Sequence, residues 1–310
     1  MILTVTPNSS VDCVLFIEEF QPGTDNRPHK MVLSVGGKAL DASVVLQTLG
    51  VDNMALTFAA GSTGQQMAQL LDNSSIKHDL VQAEGQTRTA NVLVETKYHR
   101  HSHITTPGYS VPPAAYQSFV DKCRHYLPTA KWVVTGGSLP SGVPVTFYRT
   151  LTELARQHNV PVLLDVPGPP LVEALPAKPD IIKINENEFL QTFNIQVEST
   201  SDLITSAQNF REKNQLLTLV LTCGADGIFA FTADGVFQAI APPQQAVNAA
   251  GAGDSVSAVL PWRLSLGDNW LDTLRWAAAT SAAVVLTEGT ADVRPADVER
   301  ILPDTQVQRL

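Results

Sequence analysis

The chain has 310 residues, of which 44% are hydrophobic and 16% charged, and a formal net charge of −9. That apolar content suffices for a large globular core, and the acidic balance argues against non-specific binding to nucleic acid or to anionic membranes. The three cysteines, Cys13, Cys123 and Cys223, lie far apart without a CxxC pair or zinc spacing, which fits a reducing cytoplasm better than a disulfide framework.

The N-terminal "MILTVTPNSS" has no basic n-region and no long apolar core, so no signal peptide is expected. Its "ILTVT" is a β-branched run closed by Pro7 and Asn8, a predicted buried strand. A polar, alternating region follows at 11–35. "KALDASVVLQTLG" has apolar spacing near 3.6 and ends in Gly50, which fits the C′ position of a helix. Next come a strand-like "NMALTFAA", a helical "GQQMAQLLDN" and a second polar, alternating region at 87–106. The strand-like runs "KWVVTGG", "PVLLDV", "DIIKI" and "LLTLVLT" then share the chain with the helical "PVTFYRTLTELARQHN" and "SDLITSAQNFREKN". Residues 252–302 read as mostly helical, and the longest apolar run, "AAVVL" at 282–286, is far too short to span a bilayer. The alternation predicts an α/β fold with a mainly parallel sheet covered on both faces. The two polar regions, about 11–35 and 87–106, predict a small separate sheet, a flap over one edge of the core. No repeat, low-complexity tract or linker divides the chain, so one domain is expected over 1–310.

The stretch "AAGAGDS" carries the first chemical signal. Gly251, Ala252 and Gly253 precede or open a helix, whose N-terminus presents unpaired amides and a partial positive charge. Small residues there let an anion approach the backbone. Asp254 beside such a cradle is unfavourable unless it has a task, and accepting a proton from a hydroxyl that attacks phosphorus is one. Alone, the stretch reads equally as a tightly packed helix start with an acidic first turn. No Walker A sequence and no protein-kinase HRD or DFG set accompanies it. Four glycine-rich or polar turns do: "SVGGKAL", "TGGSLPSGVP", "IKINENEF" and "LTCGADG". Most follow strand-like runs, where open α/β sheets place their ligands.

In the order "TPNSSVD", "GGKALDA", "TRTANV", "TGGSLPSGVP", "IKINENE", "LTCGADG", "AAGAGDS", these motifs resemble the PfkB/ribokinase superfamily of carbohydrate kinases over nearly the full length. Within it the chain is most similar to the fructose-1-phosphate kinase and tagatose-6-phosphate kinase branch. The resemblance implies a ribokinase-like three-layer α/β/α core with a β-sheet lid, ATP and Mg²⁺ as cofactors, and a homodimer joined through the lid strands. It implies Asp254 as catalytic base, with Gly251, Ala252 and Gly253 forming the anion hole. It places Asp12 on sugar hydroxyls, Gly36, Gly37 and Lys38 under the sugar, and Ser138 in the same pocket. Lys38 and Arg88 would face a phosphate on the acceptor. Asn185 and Glu188 would serve the cofactor, Glu188 organising Mg²⁺ through water, while Thr222, Gly224 and Gly227 would line the ATP site.

The chain also departs from the pattern GGKGxNxA. Ala39 replaces the fourth glycine, Asp41 the asparagine, Val44 a common arginine, and Ala249 replaces a threonine before the GAGD turn. Asp41 accepts hydrogen bonds but, when ionised, cannot donate as an amide does, and it adds negative charge near an acceptor phosphate. Pro261 is expected to kink the helix begun beside Asp254, beyond the turns that carry the anion hole. His99, His101 and His103 share one face of a strand, as a wall of the acceptor pocket or a metal site, and His103 would meet an acceptor phosphate when protonated. Arg27 is either a second contact to that phosphate or a solvated surface residue. The four tryptophans read as helix packing, and Asp165 as the anchor of a turn. The expected function is transfer of the γ-phosphoryl group of ATP to a ketohexose phosphate such as fructose 1-phosphate, fructose 6-phosphate or tagatose 6-phosphate. The alternatives are a kinase of an unphosphorylated sugar or nucleoside, and a non-catalytic sugar- or nucleotide-binding relative.

Overall fold

Every residue of the first strand, Ile2–Thr6 (β1), is buried. Leu3 and Val5 enter one apolar layer and Ile2 another, as alternation along a strand requires. A strand buried on both faces needs helices on both faces. The structure, a computed structural model, describes residues 1–98 and 100–310. After β1 come Ser10–Ile17 (β2), Lys30–Gly36 (β3), Lys38–Thr48 (α1), Asn53–Ala59 (β4), Gly61–Asn73 (α2), His78–Gln82 (β5), Arg88–Glu95 (β6) and Arg100–Thr105 (β7). Then follow Pro113–Tyr126 (α3), Trp132–Gly136 (β8), Phe147–Gln157 (α4), Val162–Asp165 (β9), Pro169–Ala174 (α5), Ile181–Asn185 (β10), Glu186–Phe193 (α6), Thr200–Lys213 (α7) and Thr218–Thr222 (β11). The chain ends with Ile228–Thr232 (β12), Gly235–Ile240 (β13), Ala252–Ser265 (α8), Trp270–Val284 (α9), Pro295–Ile301 (α10) and Gln306–Arg309 (β14).

The large sheet has the order β14-β13-β12-β11-β10-β9-β8-β1-β4-β5. From β11 to β5 all neighbours are parallel, and β12, β13 and β14 extend one edge antiparallel. Phe119, Phe147, Leu151, Phe189 and Leu203 bring α3, α4, α6 and α7 onto one face. Val45, Val256, Leu260, Leu274 and Val298 bring α1, α8, α9 and α10 onto the other. The expected three layers are present. The antiparallel edge, β5 and α3 were not expected.

The second sheet, β3-β2-β6-β7, is the flap. Val14, Phe16, Val92 and Val94 cover its inner face with Val32 and Ala250 packed against them, and at its base Val11 and Val35 pack on Met67 and Leu71 of α2. Lys30 at the start of β3 reaches the core, donating from Nζ to Glu188's distant neighbour in sequence, Glu288, at 2.5 Å. Met31 and Leu33 on β3 and Ile104 on β7 remain exposed. Gly50, with φ +73°, follows the end of α1 as expected. Helix α8 continues past Pro261 to Ser265, so the ring leaves the Ser257 carbonyl without its helical donor while the helix persists. Among the described residues no helix is long and apolar enough to cross a membrane.

Candidate active site

The turn before α8 is built for backbone access. Gly251 has φ +83°, and a Cβ there would lie 2.4 Å from the Ala291 amide nitrogen, so only glycine fits. Asn248, buried, holds the turn: its Nδ2 donates to the Glu288 carbonyl (3.1 Å) and its Oδ1 accepts from the Ala250 amide (3.1 Å). The Ser255 amide donates to the Gly251 carbonyl (3.0 Å), whereas among the described residues no backbone carbonyl outside the helix accepts from the amides of Gly253 or Asp254. These amides form the open end of a helix dipole.

Asp254 stands at this end within a network of charges. Lys38 Nζ donates to Asp165 Oδ1 (2.7 Å) and Glu188 Oε1 (3.0 Å). Asp165 Oδ2 accepts from Lys183 Nζ and from Ser257 Oγ, both at 2.8 Å. Burial works against the Asp165 carboxylate, but the ammonium groups of Lys183 and Lys38 outweigh it and hold its pKa down at about 2. Burial likewise disfavours the Lys38 cation, and the carboxylates of Asp165, Glu188 and Asp254 overcome it, raising its pKa. Asp254 goes the other way. Burial first, then the charge of Asp165, push its pKa up to about 6, against the pull of Lys183 and Lys38.

Glu188 is fixed by its own helix. The Glu188 amide donates to Asn185 Oδ1 (2.9 Å) and the Asn185 amide donates to Glu188 Oε2 (3.0 Å), a capping box at the start of α6. Asn185 therefore has a structural task that its motif did not reveal. Lys38, Ser138 and Glu188 line a cavity of about 520 Å³ together with Val166 and Pro170. A neighbouring cavity of about 470 Å³ is lined by the expected Thr222, Gly224, Gly227, Ala252 and Gly253, and by small or apolar residues including Ala249, Ala278 and Ala282. Its low polarity and open helix end suit a nucleotide base and its phosphates. Among the described residues no group of three His, Cys, Asp or Glu side chains forms a metal site. A single carboxylate at the cavity wall still fits Mg²⁺, which keeps its waters and takes oxygens from nucleotide phosphates.

On the lid side, Asp12 approaches the backbone so closely that a Cβ on Gly36 would sit 1.8 Å from its Oδ1. Ser10 Oγ donates to Asp12 Oδ1 (2.7 Å). Burial raises the Asp12 pKa, opposed by the hydroxyls of Ser10 and Thr290 and the charges of Arg88 and His103. Arg88 Nη2 donates to the Asn8 carbonyl (3.0 Å), and Asn8 Nδ2 to Ser138 Oγ (2.8 Å). Asn8 Oδ1, Ser34 Oγ and Asp41 Oδ1 are buried without a hydrogen-bond partner among the described residues. Unpaired polar atoms of this kind are what a polyhydroxylated ligand satisfies.

The structure corrects the expectation for Lys38. Its ammonium is engaged by Asp165 and Glu188 rather than free beside Arg88 to face an acceptor phosphate. Asp165 is more than a turn anchor, since it joins Lys38, Lys183 and α8. Lys183, Ser257, Asn8 and Asn248 had not been singled out. Arg27 is solvated and paired with Asp25. His103 and His101 oppose Val92 and Val94, on the lid face that also carries Asp12. His99 lies outside the described residues. Trp262 and Trp276 meet edge to face at 5.5 Å, with the Arg263 guanidinium 4.5 Å from the Trp276 ring.

Residues 5–297 match the family model described as pfkB family carbohydrate kinase. The chain is 30% identical to D-tagatose-1-phosphate kinase of Bacillus licheniformis, with 96% of each chain covered. It is 29% identical to 1-phosphofructokinase of Bacillus subtilis, with 100% of each covered. Among solved structures, a possible 1-phosphofructokinase from Thermotoga maritima superposes with a TM-score of 0.89 at 24% identity, over 100% of this chain and 99% of that one.

Proposed function

The chain belongs to the pfkB family of carbohydrate kinases, and from that membership we propose that it transfers the γ-phosphoryl group of ATP to a primary hydroxyl of a ketohexose phosphate. The observation that carries this reading is the position of Asp254, a carboxyl with a pKa raised to about 6 at the open amide end of α8. A base of that strength is ionised at neutral pH yet able to take a proton as the hydroxyl attacks. Gly251, Ala252 and Gly253 give the transferring group access to the backbone amides. Mg²⁺ would neutralise the phosphates, with Glu188 as its protein carboxylate through water. Thr222, Gly224 and Gly227 would hold the nucleotide. Asp12, Asn8 and Ser138 would bind acceptor hydroxyls above Gly36 and Gly37, with Arg88 toward an acceptor phosphate.

The names of the two Bacillus relatives favour an acceptor phosphorylated at C1, phosphorylated here at the opposite end. The engagement of Lys38 by two carboxylates favours a second reading, an unphosphorylated acceptor, because it removes one of the cations expected for the acceptor phosphate. We further infer a homodimer through the outer face of the lid, supported by the exposed Met31, Leu33 and Ile104. The test is ATP consumption with Mg²⁺ on fructose 1-phosphate, tagatose 1-phosphate, fructose 6-phosphate and tagatose 6-phosphate, against the free sugars and nucleosides. Turnover confined to the 1-phosphates supports the first reading, turnover only on neutral acceptors supports the second, and silence on all of them counts against both.

A further inference from the structure

Asp41 stands where the resembling pattern has an asparagine, and its surroundings give the exchange a chemical meaning. The residue is 4% exposed, on the first turn of α1. Its carboxyl lies within hydrogen-bonding reach of the carboxyl of Asp254 on α8. Two carboxylates can only accept hydrogen bonds, and two like charges in contact inside a protein repel strongly, so a proton must lie between them.

The surrounding charges decide which partner carries it. Lys38 and Lys183 both act on Asp254. The charged groups that act on Asp41 are Asp254 and Asp12, both acids. The other ionisable groups of the site are engaged elsewhere. Lys38, on Asp41's own helix, binds Asp165 of β9 and Glu188 of α6. Lys183 of β10 binds Asp165. Arg88 of β6 donates to the carbonyls of Asn8 and Ser9, and His103 of β7 acts on Asp12.

We propose that Asp41 is a neutral carboxylic acid at neutral pH and that its O–H donates to the Asp254 carboxylate, positioning the base toward the acceptor hydroxyl. The proposal rests on the reading of Asp254 as that base. Burial, then the charges of Asp254 and Asp12, raise the Asp41 pKa well above the usual carboxylate range, which agrees with this placement of the proton. A neutral Asp41 donates as the asparagine amide would and adds no charge beside an acceptor phosphate. Its Oδ1, which has no partner among the described residues, stays free to accept from an acceptor hydroxyl. When Asp41 ionises, the pair becomes two carboxylates and the base is pushed out of position. Activity then falls on the alkaline side for a reason separate from the acid-side protonation of Asp254.

Two measurements on the full-length enzyme test this. The first is the infrared C=O stretch of a protonated carboxyl at pH 7.5, compared between wild type and Asp41→Asn, with Asp41→Ala in its place if the asparagine variant does not fold. A band present in wild type and lost in the variant is expected, and identical spectra overturn the proposal. The second is the pH profile of kcat with ATP, Mg²⁺ and fructose 1-phosphate. Asp41→Ala should lose tenfold or more at pH 7.5, and Asp41→Asn should recover most of that loss and lack the alkaline limb. An Asp41→Asn profile superimposable on wild type overturns the proposal. Asp254→Asn separates the two claims: if it retains turnover near wild type, the base assignment fails, while the infrared result still reports on Asp41.

Discussion

Asp254 and Asp165 are carboxyl groups in one network, and their opposite shifts set opposite expectations. The pKa of Asp254 is raised, so between the ordinary value of 3.8 and about 6 the folded state holds more protons than the unfolded one. Stability therefore falls as pH rises through that window, and above it a cost of about 2 kcal/mol is fully present. Asp254→Asn should raise the melting temperature at pH 7.5, with the gain shrinking toward pH 4 in thermal scans. The same variant should lower kcat by about 10³-fold while ATP affinity by titration calorimetry changes little. For the wild type, kcat should fall about tenfold per pH unit below 6, because the protonated form cannot accept. Asp165 is the reverse case. Its depressed pKa contributes stability above the ordinary carboxylate value, lost as pH falls toward about 2. Asp165→Asn leaves Lys183 buried without its charge partner and should cost about 3–5 kcal/mol by urea unfolding at pH 7. The sequence made Asp254 legible because the GAGD turn sits at a helix start. It hid Asp165 and Lys183, each a lone charge on an otherwise apolar strand, because the partner of each lies on a neighbouring strand or helix.

At the scale of elements, the N-terminus of α8 carries the most exacting backbone. Gly251→Ala would require a left-handed φ and a Cβ within 2.6 Å of Ala291 atoms. The strain should cost about 1–3 kcal/mol. By displacing the amides it should lower kcat at least about 10²-fold, read from steady-state kinetics beside urea unfolding. The same scale shows what periodicity reveals and conceals. The parallel strands β1, β4, β8, β9, β10 and β11 were legible as short apolar runs between helical spacings. The hairpin β12-β13, with Asp234 and Gly235 at its turn, was not read, because the alternating strand–helix rhythm ends where it begins. Strand β5 has only one fully buried residue, Val81, and gave too weak an apolar signal. The capping box at Asn185 and Glu188 was taken for ligand chemistry alone, since a helix cap and a metal-organising pair share the spacing NxxE.

The whole molecule is a layered core with a second sheet standing over its site. The two polar alternating regions of the sequence announced that sheet, because half-exposed strands carry a period of two that buried parallel strands lack. The apolar side chains on its outer face have no cover in a single chain. Replacing Met31 and Leu33 together by Asp should convert a dimer to a monomer in light scattering coupled to size exclusion. A wild type that is monomeric at micromolar concentration would remove the dimer from the account. Because Asp12 and Arg88 lie on strands of the same sheet, the monomeric variant should also show a raised acceptor KM, with the KM for ATP less affected.

Lys30 and Glu288 join this sheet to the core across open solvent, and each side chain is nearly half exposed. Such a pair is worth about 0.5 kcal/mol, roughly a twofold bias between shut and open. It is a latch weak enough to release at every turnover. Its core end is also a structural hinge-pin: the Glu288 carbonyl accepts from Asn248, which in turn braces the Ala250 amide just before α8. Swinging the cover and setting the anion cradle are thus parts of one mechanical linkage, so a lid held open would loosen the same turn that receives the phosphoryl group.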